Sequence, residues 1–208
     1  MKPNASSLLL INASPRGERS SSRKLAATYL AAWKAAHPAG QAVVRDLAVD
    51  QPPVLTEAWI AGAYSAPEQR SPEAQAAIAV SDALVDELLA AGEIVIATPV
   101  YNFSVPGVLK LWIDQIARFG RTFSVDASGY QGLAAGRRVK VLVTSGGDLR
   151  LGQPFGAMNF VEPYLRGVFG FIGITEVEFV YAHSQSSDGA REAALAEAIE
   201  TTRSLAAA

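Results

Sequence analysis

The sequence contains no cysteine. Disulfide staples, thiolate nucleophiles and thiolate metal sites are therefore excluded. Histidine is scarce as well. His37 and His183 are the only two, so a histidine-rich metal centre is excluded, no metal site is expected, and a Ser-His-Asp triad has few candidates. A dominant charge is also missing: 18 Lys and Arg stand against 20 Asp and Glu, for a net charge of −2. No basic stripe marks a nucleic-acid surface. Apolar runs are short, none approaching the roughly 20 residues that cross a bilayer, and Leu8 to Ile11 is too brief for the core of a signal peptide. The expectation is a cytoplasmic protein engaging neither membrane nor nucleic acid. With so little reactive side-chain chemistry, an enzyme built on this chain would draw its chemistry from a bound cofactor.

What is present is a chain of 208 residues, half of them hydrophobic, which fits one domain spanning 1–208. Short apolar runs alternate with helical patterns. The runs "SLLLIN", "AVVRDL", "EIVIAT", "RVKVLVTS" and "TEVEFVYA" read as five strands. Between the first two, Leu25, Tyr29 and Trp33 recur four apart, on one face of a helix. A long connection rich in Pro, Gly and Ala follows, with a short helix expected around Glu57 to Ala61. Ser71 and Pro72 then open a helix as N-cap and first helical residue, and Gly92 stands where its C-terminal cap is expected. "VPGVLKLWIDQIARFG", "NFVEPYLRGVFGFIG" and "GAREAALAEAIETTRSLAA" read as three more helices. Strands alternating with helices predict an α/β sandwich of three layers, a parallel five-stranded sheet covered on both faces. In the strand order 2-1-3-4-5, ligands bind beyond the carboxyl ends of strands one and three.

Three loops fall at that edge. The first, "NASPRGERSSSRKL", puts Ser14, Arg16, Ser20, Ser21 and Ser22 before a helix whose unpaired amides and dipole favour an anion. A phosphate fits this loop, while Ser20 as a plain N-cap accounts for one serine without a ligand. The P-loop and G-x-G-x-x-G patterns are both absent. The second, "TPVYNFSVP", exposes Tyr101 and Phe103 at a strand end, where a flat aromatic ligand or the next helix could cover them. The third, "VTSGGD", sets Gly146 and Gly147 where backbone amides can approach a ligand closely; an ordinary turn would use the same residues.

Together "NASPRGERSSSRKL", "TPVYNFSVPGVLKLWIDQIARFGRTF", "VTSGGD" and "YLRGVFGFIGITEVEFVYA" resemble the FMN-dependent NADH-azoreductases, also active as quinone reductases, over nearly the whole chain. The resemblance implies a flavodoxin-like fold, bound FMN, NADH or NADPH as electron donor, and a quinone or azo compound as acceptor. It implies ping-pong two-electron transfer through flavin N5 in a homodimer, with no catalytic side chain required. By the same resemblance, Ser14 and Ser20 to Ser22 contact the FMN phosphate and ribityl chain, to which the loop reading adds Arg16 as a cofactor-binding residue. Pro99, Val100, Tyr101, Asn102 and Phe103 hold the isoalloxazine, and Ser145, Gly146, Gly147 and Asp148 its pyrimidine edge. The aromatics Trp59, Tyr64, Phe123, Tyr130, Phe155 and Phe160 are candidates for the acceptor pocket. Val100 replaces a methionine common in the family, and "SGGD" replaces its usual S-R-G-G. A flavodoxin-type electron carrier, an FMN or quinone reductase without azo activity, and a flavin-free binding domain remain as alternatives at this stage.

Overall fold

In the computed structural model, which describes residues 4–207, the apolar runs become strands and the periodic segments helices. The order is β1 (Asn4–Asn12), α1 (Ser21–Ala36), β2 (Gln41–Asp46), α2 (Glu57–Tyr64), α3 (Pro72–Ala90), β3 (Ala91–Pro99) and α4 (Gly107–Ile116). Then come β4 (Phe123–Asp126), β5 (Gly129–Gly132), β6 (Arg138–Thr144), α5 (Val161–Phe171), β7 (Glu176–Ala182) and α6 (Arg191–Ala206). The main sheet has the order β2-β1-β3-β6-β7, with every neighbouring pair parallel. This is the expected 2-1-3-4-5 arrangement, with β6 and β7 as its fourth and fifth strands.

Alternation along the buried strands builds the two faces. Leu9, Ile11, Ile94, Ile96, Val139 and Val141 point to one side and meet Val85 of α3, Trp112 of α4 and Leu165 and Phe169 of α5. Leu8, Leu10, Val95, Leu142 and Val180 point to the other and meet Leu25, Tyr29 and Trp33 of α1 and Ala198 of α6. Each large apolar side chain so buried contributes about 1.5–3 kcal/mol. No helix among the described residues is long and apolar enough to cross a membrane.

Helix starts follow their capping chemistry. Ser20, Thr56 and Ser71 accept from the amides of Arg23, Trp59 and Ala74 respectively. The end of α3 differs from expectation: Gly92 is not its cap but the second residue of β3. Ala91 closes the helix in extended conformation, with its amide donating to the Glu87 carbonyl, so no left-handed residue is needed. The helix expected to run to Gly120 stops at Ile116. There the Thr122 hydroxyl donates to the Ile116 carbonyl (2.7 Å) and accepts from the Arg118 amide (2.8 Å), turning the chain out of the helix.

The antiparallel hairpin of β4 and β5, outside the main sheet, was not expected from the sequence. It reaches the body of the fold through Gly132, which lies so close to Gly173 that a Cβ at 132 would sit 2.2 Å from the Gly173 backbone nitrogen.

Candidate active site at the carboxyl edge of the sheet

β1 and β3 lie side by side, and the loops leaving them bound the crevice. The β1–α1 loop holds its shape through Arg23. That guanidinium donates to the Ser14 carbonyl (2.9 and 2.7 Å) and to both carboxylate oxygens of Asp46 at the end of β2 (2.6 and 2.7 Å). The hydrogen bond from Arg23 holds the Asp46 carboxyl below the ordinary range, against burial, which pushes it up. A short 3-10 turn, Gly17–Arg19, then delivers the chain to Ser20 and the head of α1. There the Arg23 amide donates to Ser20 Oγ, while the Ser21 and Ser22 amides precede the first carbonyls the helix could offer them.

Ser14, Arg16, Ser20 and Ser21 line a cavity of about 230 Å³ with Pro99, Val100, Tyr101, Thr144, Ser145 and Gly146. Ser22 does not reach it. That side chain is fully buried, and its hydroxyl is paired with Ser20 Oγ at 3.0 Å, so it steadies the cap from behind.

The second loop makes a tight turn. The Tyr101 amide donates to the Ser104 carbonyl (3.0 Å) and the Ser104 amide donates back (3.1 Å). Asn102 and Phe103 between them have φ of 49° and 70°, the pair of left-handed residues that a type I′ turn demands and that glycine usually supplies. A phenylalanine in that conformation is costly and is found where function or packing compels it. The Phe160 amide latches the turn from outside by donating to the Phe103 carbonyl (3.1 Å). Val100, Asn102 and Phe103 line a second cavity of about 360 Å³ with Gly146, Gly147, Leu149 and Phe155. The two cavities share Val100 and Gly146 as common walls. One half of the crevice is thus rich in hydroxyls and carries a cation, while the other is apolar and aromatic. A Cβ on Gly147 would meet no heavy atom within 4 Å, whereas one on Gly146 would meet Ser186 Oγ at 2.8 Å.

The third loop is braced by a segment that the sequence did not single out. After β7, the amides of Gln185 and Ser186 donate to the carbonyls of Ser145 (2.9 Å) and Gly146 (3.1 Å). The Gln185 side chain accepts from the Ser21 hydroxyl (2.8 Å), tying this segment to the head of α1. Gln185 and Ser186 both line the hydroxyl-rich cavity. Their only signal in the sequence is a polar run, "HSQSSDG", at the carboxyl end of a strand. Thr144 and Leu149 were missed too; a strand-end threonine and a loop leucine carry no signal of their own.

Asp148 borders neither cavity. It turns to Arg150, which donates to both its oxygens (2.9 and 2.7 Å), and that hydrogen bond holds its carboxyl below the ordinary range.

Of the aromatic candidates, Phe155 lines the apolar cavity, and the exposed Phe160 sits behind the Phe103 turn. The others lie elsewhere. Trp59 is buried against Ala63 and Ile78, its indole N–H donating to Gln115 Oε1 (2.8 Å), so it is core. Phe123 is buried at the root of the hairpin, 4.7 Å from the Phe171 ring. Tyr130 stands beside Phe171, and Tyr64 stacks on Phe119. None of these four borders either crevice cavity.

Residues 6–205 match a family model described as "Flavodoxin-like fold". The FMN-dependent NADH:quinone oxidoreductase of Nostoc punctiforme is 48% identical over 191 residues, covering 92% of this chain and 93% of that protein. The FMN-dependent NAD(P)H:quinone oxidoreductase 1 of Pseudomonas aeruginosa is 45% identical, over 88% of this chain and 90% of its own. Among solved structures, an azoreductase from Bacillus anthracis superposes with a TM-score of 0.89 at 28% identity, covering 97% of this chain and 98% of its own. Similarity of this depth, carried across nearly the full length of both sequence relatives, reflects common descent, and the chain belongs to the flavodoxin-like family of FMN-dependent NADH:quinone oxidoreductases and azoreductases.

Proposed function

We propose that this chain is an FMN-dependent reductase that draws electrons from NADH or NADPH and passes them to quinones, with azo compounds as further acceptors. One observation carries the reading: a hydroxyl-rich cavity and an aromatic cavity meet at Val100 and Gly146, on the edge where this fold binds ligands. FMN has the matching division, an anionic tail and a flat apolar ring. The hydroxyls of Ser14 and Ser20, the Arg16 guanidinium and the Ser21 and Ser22 amides at the head of α1 would hold the phosphate, each charge-assisted hydrogen bond contributing about 1.5–3 kcal/mol. Val100 to Phe103 would pack along the ring, and the amides of Gly146 and Gly147 would face its polar edge. FMN held there supplies two-electron transfer between a nicotinamide and the acceptor.

The chain's own task is to bind, orient and exclude water. Phe103 and Phe155 give the apolar half of the crevice an aromatic wall, and the latch from Phe160 fixes the turn that carries Phe103. Protons can come from solvent, so no side chain need act as general acid. A cytoplasmic homodimer completes the reading. The hairpin exposes Val125 and the facing Tyr130, with Phe171 beside Tyr130, apolar surface of the kind that a second copy covers.

The test is an absorbance spectrum of the purified protein after incubation with FMN and removal of excess. The expected result is visible flavin absorbance at one equivalent per chain, bleached by NADH without oxygen and restored by a quinone. A chain that stays colourless would sink the proposal; one that stays yellow after NADH would reduce it to a carrier.

A further inference from the structure

The two aromatic walls of the apolar cavity, Phe103 and Phe155, come from different loops, and both rings are exposed. Little packing holds either ring, so the backbone must set their spacing. One segment joins them. From Phe155 the chain makes a 3-10 turn, Gly156–Met158, and reaches Asn159 and Phe160. The Phe160 amide then donates to the Phe103 carbonyl (3.1 Å), in the turn where Phe103 holds its costly φ of 70°. A few residues past one wall, the chain thus grips the other.

Asn159 is the buried point of this segment, 4% exposed between the exposed Met158 and Phe160. Both polar atoms of its side chain are bonded. Oδ1 accepts from the amides of Val161 and Glu162 (3.1 Å each), capping α5. Nδ2 donates to the Tyr181 hydroxyl on β7 (2.9 Å). The hydroxyl donates onward to Glu162 Oε2 (2.7 Å). Glu162 Oε1 accepts from Arg166 Nε and Nη2 (3.0 and 2.8 Å), and Arg166 Nη1 donates to the Val177 carbonyl of β7 (2.8 Å). Each direction is forced, because the amide nitrogen only donates and the carboxylate only accepts. Burial, with Glu162 beside it, raises the Tyr181 pKa against the lowering effect of the Asn159 bond, so the hydroxyl keeps the proton it donates. Bonds shielded from water in this way are costly to break singly. Capping α5 requires only the Oδ1 acceptor, which an aspartate would supply equally well. The bond from Nδ2 to Tyr181 is an addition that a cap does not need, and it ties the segment to the sheet.

We propose that Asn159 is a positioning residue of the crevice. Held by Tyr181, it fixes the segment that carries Phe155 and latches the strained turn that carries Phe103, and so sets the gap between the two aromatic walls. The inference rests on the flavin reading for what occupies that gap, though not for the gap itself.

The test separates the tether from the cap. Asn159→Asp and Tyr181→Phe each leave an oxygen to cap α5 and each remove the bond between residues 159 and 181. Asn159→Ala removes cap and tether together. Hydrogen exchange at the Phe160 amide, followed by NMR on the full chain without FMN, should be about three- to tenfold faster in Asn159→Asp and Tyr181→Phe than in the parent, the scale of one hydrogen bond. FMN and riboflavin, each titrated by calorimetry, should bind both variants weaker by a similar factor. The ratio of the two affinities should stay that of the parent, because the hydroxyl-rich half of the crevice is untouched. The melting temperature should fall furthest in Asn159→Ala, which loses the cap as well. Flavin binding in Asn159→Asp equal to the parent's would mean that Asn159 is a cap and nothing more, and would overturn the proposal. So would Phe160 exchange unchanged in Asn159→Asp and Tyr181→Phe. A parent chain that binds neither flavin would sink the flavin reading alone; the Phe160 exchange rates would still decide whether Asn159 holds the segment.

Discussion

Arg23 shapes the β1–α1 loop without lining the cavity beside it. In the sequence it is an ordinary cation in the first turn of a helix. Its role depends on Asp46, which arrives 23 residues later at the end of β2 and which pairwise reading of a helix face cannot supply. The pair is mostly buried, with side chains 20% and 26% exposed, so it is worth more than a surface ion pair. An unfolded aspartate titrates near pH 3.9, and the folded Asp46 carboxyl lies below its ordinary value because Arg23 donates to it. Its contribution to stability is therefore fully present above about pH 4 and is lost as pH falls through the lower, folded value. Asp46→Asn keeps an acceptor for the Ala48 amide, which now donates to Asp46 Oδ1, and removes the charge. We expect it to lower stability by about 1.5–3 kcal/mol at neutral pH and to flatten the acid limb of the stability profile. Urea unfolding of both proteins from pH 7 to pH 2 checks this; parallel curves would rule it out.

The parallel sheet was legible because its central strands, β1, β3 and β6, are buried on both faces and read as largely apolar runs. The hairpin of β4 and β5 was not. Its strands are four residues each, and only Phe123 is buried. The turn between them, Asp126 to Gly129, lies in a stretch that reads as loop. What fixes the hairpin is a contact between glycines: Gly132 against Gly173, where the chain passes from α5 to β7 with Gly173 at φ +95°. Two weak local signals become one strong packing rule only when the fold brings them together. The same holds within the site. Ser14 and the turn carrying Phe103 announced themselves by composition, whereas Gln185 and Ser186 matter through the carbonyls of Ser145 and Gly146, which no pattern reveals. Gly132→Ala tests the hairpin directly. The clash is with backbone, which cannot rotate away, so a loss of about 1–3 kcal/mol is expected, measurable by chemical denaturation. A variant as stable as the parent would show that the hairpin is free to shift.

Across the whole molecule, the crevice draws on every strand of the main sheet but β2. Ser14 and Ser20 follow β1, Pro99 to Phe103 follow β3, Ser145 to Gly147 follow β6, and Gln185 and Ser186 follow β7. The hydrogen bonds from Ser21 to Gln185 and from Gln185 to Ser145 join three of these loops. A ligand seated among four loops binds the folded chain and has no counterpart site in the unfolded one. Its binding energy therefore appears as stability. With free FMN at a thousand times its dissociation constant, the gain is about 4.1 kcal/mol. For a chain of this length each kcal/mol raises the melting temperature by roughly 2–4 °C, so the expected rise is about 8–16 °C. The size of the shift should track FMN concentration logarithmically, and riboflavin, which lacks the phosphate, should give a smaller one. Equal shifts from the two flavins would mean that the loop headed by Ser14 and Arg16 does not hold the anionic tail, even if the aromatic half of the crevice holds the ring.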